Sequence, residues 1–68
     1  MDLEKAIFKD CFNFLQNNFP PTVDQQYWAD LVRQQTEIEK RFKGEKFAVD
    51  MLLACTRRIC EIYDSQIR

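Results

Sequence analysis

Cys11, Cys55 and Cys60 are the only thiols in this 68-residue chain, and it contains no histidine. Those two facts narrow the chemistry open to it. Histidine is the usual general base at neutral pH, so Asp, Glu, Lys or Cys would have to stand in with a shifted pKa. The best-placed pair is Cys60 with Arg57, three residues earlier, because a guanidinium at that spacing can hold a thiolate. A packed cysteine beside a solvated arginine explains the same spacing without chemistry. The carboxylates Asp50, Glu61 and Asp64 share one helical stripe with Lys46 and Arg57. Mixed charges at such spacing make a solvated, self-paired face rather than a metal site. The cysteine spacing fits no zinc site, and a single glycine, Gly44, leaves no phosphate-cradling loop. No catalytic residue, metal ligand or cofactor is expected.

The cysteines read better as structure. They are odd in number, form no C-x-x-C pair, and each falls in an apolar helical pattern, so buried free thiols are expected rather than disulfides. Reduced thiols suit the cytoplasm. The opening "MDLEKAIFKD" carries charges where the apolar core of a signal peptide would lie. No apolar run approaches the roughly 18 residues of a membrane span, so no membrane partner is expected.

A second set of residues could bind polyanions. Lys40, Arg41, Lys43 and Lys46 crowd the stretch "KRFKGEK", and Arg57 and Arg58 follow. Residues from Lys40 onward hold seven bases and four acids, against three bases and seven acids before them. The formal net charge is nevertheless -1. A general polyanion binder would be basic. A helix–turn–helix reader would also begin its recognition helix with polar, base-reading side chains. Here the corresponding stretch is "GEKFAVDMLLA". A basic cluster opposing the dipole at a helix C-terminus accounts for the charges, and a nucleic-acid role stands as the alternative.

The elements follow from punctuation. Pro20-Pro21 and Gly44 divide the chain, and between them the apolar residues recur at helical spacing. The reading is a single all-α domain, 1–68, of three helices at about 2–17, 23–43 and 45–66. In the first helix, Leu3, Ile7, Cys11, Phe14 and Leu15 make one stripe, and Phe8 and Phe12 widen it to nearly half the cylinder. Phe19 is expected to plug the corner beneath it. The second helix should be capped by Thr22, with Gln25 completing a capping box. Its outer face offers Glu37–Arg41 and Glu39–Lys43 pairs. The third helix is apolar nearly all round, apart from a stripe where Lys46–Asp50, Arg57–Glu61 and Asp64–Arg68 can pair; Ile67 continues its apolar side.

A helix of that kind must be largely buried. Two neighbours within so short a chain cover much of it but not all, and a domain this small hides only about 60% of its unfolded surface. The third helix is therefore expected to be central, either within a tight three-helix protomer where the Arg58 stem snorkels to water or, the favoured reading, meeting a second copy as well. Leu53, Arg58, Ile59 and Ile62 are the candidates for that seam, with a homodimer favoured. Tyr27-Trp28 is the most distinctive dipeptide. It reads first as a core anchor. With Gln35 and the neighbouring glutamines it reads second as a surface for an unidentified protein partner, since Tyr and Trp are enriched in such contacts.

"YWADLV", followed by "FKGEKFAVDMLLACTRRICEIY", resembles a class of small uncharacterised proteins of prophages and mobile elements in Gram-positive bacteria. Tyr27, Trp28, Leu31, Phe42, Lys43, Phe47, Ala48, Leu52, Leu53 and Ala54 carry the match, over roughly the last 45 residues. The resemblance implies a compact helical accessory protein in a bacterial or phage-infected cell. The residues themselves lead to a non-enzymatic, self-associating interaction module. A nucleic-acid-associated factor using the turn at 40–46 is the alternative.

Overall fold

A computed structural model describes residues 1–66 and contains three helices: α1 (Asp2–Asn17), α2 (Gln25–Arg41) and α3 (Lys46–Gln66). The expectation of an all-α domain with the third helix central holds, since α3 packs on both other helices. At ~1.5 Å per residue, its 21 residues make it the longest rod, and the molecule is elongated at 40 × 19 × 16 Å. Ile67 and the Asp64–Arg68 pair lie outside the described residues.

Local chemistry sets the ends. Asp2 and Glu4 place carboxylates against the free amides opening α1. Before α2 the cap is Asp24, not Thr22. Asp24 Oδ1 accepts from the Gln26 amide at 2.9 Å, while Thr22 Oγ1 accepts from the Asp24 amide at 3.2 Å. Thr22 thus shapes the turn that delivers Asp24. The helix starts two residues later than expected, and Gln25 is its first residue rather than part of a capping box.

The corner between α2 and α3 needs two left-handed residues, Lys43 at φ 55° and Gly44 at φ 71°. The Gly44 amide donates to the Glu39 carbonyl at 3.0 Å and closes the end of α2. A methyl group at Gly44 would meet nothing within 4 Å. The Gly44→Ala substitution is therefore expected to cost ~1–2 kcal/mol through backbone conformation alone. Gly44→Asn should recover part of that loss in a denaturant titration, because asparagine tolerates the left-handed region better.

The core is a single apolar seam. Ile7, Cys11 and Phe14 from α1 meet Leu31 and Ile38 from α2 and Ala48, Leu52 and Ile59 from α3. The spacings of three, four and seven residues keep each set on one helical stripe. α1 and α3 run parallel: Phe8 packs edge-on to Phe47 at 5.5 Å, and further along Cys55 reaches Cys11. α2 runs antiparallel to both, with Asn18 against Gln34 near one end and Arg41 bonded to Asp10 near the other.

Phe19 does not plug the first corner. It is 56% exposed, and Asn18, 3% exposed, fills that place instead. Asparagine can end a helix and satisfy itself there, which phenylalanine cannot. The Asn18 side-chain amide donates to the Phe14 carbonyl at 2.7 Å and to Gln34 Oε1 at 3.0 Å, and the Asn18 backbone carbonyl accepts from the Tyr27 hydroxyl.

Candidate interaction surface

Of the residues singled out for chemistry, Lys46, Asp50 and Glu61 are engaged in ion pairs. Lys46 Nζ sits 2.8 Å from Asp50 Oδ2, as the spacing foretold. Glu61 pairs with Arg58 at 3.4 Å rather than with Arg57. Among the described residues, no group of three or more His, Cys, Asp or Glu is placed to hold a metal ion.

The basic set is partly neutralised and spread out. Arg41 bonds Asp10 on α1 instead of Glu37, Lys46 bonds Asp50, and Arg58 bonds Glu61. Lys40 and Lys43 border the open hollow at the α2–α3 corner. Arg57 lies about 16 Å further along the α3 axis from Lys46.

The proposed partner-facing set turns inward. Tyr27 and Trp28 are half-buried against the core, stacked edge-to-face at 4.8 Å, and Trp28 stacks again on Tyr63 at 5.3 Å. Together they fasten the start of α2 to the end of α3. Gln35, also half-buried, accepts from the Thr56 hydroxyl at 2.8 Å and reaches Glu39 at 3.4 Å. It interrupts the apolar stripe of α2 because α3 offers it a hydroxyl.

The four seam candidates point in different directions. Ile59 is 0% exposed, so it belongs to the core and cannot form a seam. It lies seven residues after Leu52, two turns along the same buried stripe. Leu53, 47% exposed, is on the α2 side of α3, the flank that carries Thr56 and Tyr63. Arg58 and Ile62 are on the α1 side, and there they join something the sequence reading did not assemble. Phe12, Leu15 and Gln16 of α1, with Phe19 just past its end, form with them an apolar groove of about 430 Å³. Phe12 is 63% exposed and Phe8, one turn before it, 49%. The signal was present in the width of the α1 stripe. A helix packed against two neighbours on one side has no use within the protomer for apolar residues over half its circumference.

The thiols divide as well. Cys11 is buried, Cys55 half-buried and Cys60 exposed, so the expectation of three buried thiols fails at Cys60. Cys60 lies on the same outward flank as Leu53. The Cys55 thiol donates to the Cys11 carbonyl, with Sγ 3.9 Å from the oxygen. Burial, reinforced by Cys55 and Asp10, pushes the Cys11 thiol up to about 11. Burial also raises Cys55, against a smaller opposing effect of the neighbouring Cys11 thiol. A raised thiol pKa favours the neutral form in the folded state. Its stabilisation is intact below the ordinary value of 9.0 and is lost as pH rises through about 11. Folding stability is therefore expected to fall across that alkaline window, and Cys11→Ala should flatten the fall. In alkylation followed by mass spectrometry, Cys60 should react first and Cys11 only on unfolding.

Set against family models, curated proteins and solved structures, the chain matches none of them.

Proposed function

We propose that this protein is a non-enzymatic interaction module that self-associates as a homodimer through the α1/α3 face and, in that form, docks on another protein. The observation that carries the reading is the groove between Phe12, Phe19 and Ile62. Two phenylalanines more than half exposed beside it form a contiguous apolar patch, and such patches mark contact sites. The raised thiol pKa values and the lack of histidine leave little to activate a nucleophile. The setting in a phage-infected or prophage-bearing bacterial cytoplasm is part of the same proposal and rests on the resemblance of residues 27–54.

The nucleic-acid reading draws less support. Three of its six residues are spent on ion pairs within the protomer. Phosphate contacts from the corner alone would be weak and non-specific.

Light scattering across a concentration series tests the proposal. A mass rising to twice that of the 8.2 kDa chain is expected. A constant single-chain mass up to ~1 mM would dismiss self-association.

A further inference from the structure

The groove has a charge pattern and a register that suit one occupant in particular, a second copy of this chain. Resting on the self-association proposed above, we infer that the α1/α3 face is a two-fold interface whose axis passes between Leu15 and Gln16 on α1 and between Ile59 and Cys60 on α3. Across it Arg58 exchanges its own Glu61 for the Glu61 of the second copy.

The register comes from the fold. Toward the start of the pair Phe8 meets Phe47, an offset of 39 positions, but beside the groove the nearest contact, Cys55 with Cys11, sets α3 level with α1 at an offset of 44. The two most exposed groove aromatics, Phe12 on α1 and Phe19 just past its end, have their midpoint in sequence between Leu15 and Gln16. Carried across to α3 at that offset, the same level falls between Ile59 and Cys60. That is also the midpoint of Arg58 and Glu61. A two-fold axis perpendicular to the parallel pair lays each helix antiparallel on its own copy, with opposed dipoles. One axis then sets Phe12 against the second Phe19 and Arg58 against the second Glu61.

The charges support the exchange. Within the protomer the Arg58–Glu61 pair is long at 3.4 Å, and its side chains are 65% and 58% exposed, so it is weak and free to re-form across the contact. An isologous contact must be complementary to itself, and a cation and an anion equidistant from the axis satisfy that. The area is also of the right order. At their exposures of 49%, 63% and 56%, Phe8, Phe12 and Phe19 offer roughly 350 Å² of aromatic surface. A standard interface takes about 800 Å² from each partner, so these rings supply an apolar centre and leave the rim to Arg58, Gln16 and Glu61.

Charge reversal in separate chains tests the register. The Arg58→Glu chain carries two acids at these positions and the Glu61→Arg chain two bases. Both sites are exposed, and circular dichroism should show unchanged helicity. Alone, each variant is expected to dimerise at least tenfold more weakly than the wild type. Mixed in equal amounts, they should recover wild-type association as a mixed dimer, identified by its mass in native mass spectrometry. If the wild type dimerises but the mixture stays as weak as its components, or if either variant alone dimerises like the wild type, the register is wrong and self-association stands. A wild type that remains single up to ~1 mM overturns both.

Discussion

Replacing Phe14 by alanine is expected to leave the chain largely unfolded at room temperature. Phe14 is 1% exposed and is the largest fully buried side chain in the core. Truncating such a phenylalanine costs ~3–5 kcal/mol, part lost burial and part the cavity left behind. A chain of 68 residues has only about 3–10 kcal/mol of stability in total. The seam has few other side chains with which to close the hole, since Cys11, one turn earlier on the same stripe, is small. Far-UV circular dichroism on heating should show the cooperative transition lost or displaced far downward. Phe14→Leu, which keeps most of the volume, should retain it. A Phe14→Ala chain with an unchanged midpoint would place the core elsewhere.

The second large effect lies two residues away. Phe12→Glu should leave the protomer folded and weaken its association by roughly 30-fold or more, the loss of one hot-spot aromatic at ~2 kcal/mol. Phe12 is 63% exposed, so the protomer surrenders little packing, while a carboxylate in the groove would have to be desolvated on assembly. Sedimentation velocity should find the variant as a single chain at concentrations where the wild type is paired. Phe12 and Phe14 thus separate two properties that one residue type serves on one helix. Phe14 holds the protomer together, and Phe12 is spent outside it. An identical sedimentation profile for Phe12→Glu and the wild type would remove Phe12 from the contact.

The contrast also explains what the sequence could reveal. The end of α1 and the start of α3 were legible because Pro20, Pro21 and Gly44 are strong breakers beside clear periodic runs. The start of α2 was not, because Thr22 and Asp24 are both competent caps and only their hydrogen bonds decide between them. The phase of α3 was hidden for a different reason. With apolar residues nearly all round, its wheel has no single greasy side, so Ile59 and Arg58, one step apart, could not be ranked as inside and outside. Packing resolves this by turning Ala48, Leu52 and Ile59 inward, where the zero exposure of Ala48 shows how closely the backbones approach.

The candidate surface was half legible. Arg58 and Ile62 were visible because a cation inside an apolar stripe is conspicuous. Phe12 read only as widening the α1 stripe and Phe19 as a corner plug, because burial is the default for phenylalanine and nothing local marks an exposed one. Tyr27 and Trp28 follow their first reading, as anchors packed against the core, and Gln35 is half-buried rather than presented outward. Their polar atoms suggested an outside partner, but Asn18 and Thr56 supply the partners from within the fold. Contacts between residues 9 and 21 positions apart leave no trace in helical periodicity.

The central claim, that a second copy covers the α1/α3 face, is tested most directly by isotope-filtered NOE spectroscopy on an equal mixture of labelled and unlabelled chains. Cross-peaks between chains are expected from the Phe12 ring to Phe19 and from Ile62 to its neighbours in the groove. Cross-peaks confined to Val32 and Leu53, or none between chains at all, would contradict it.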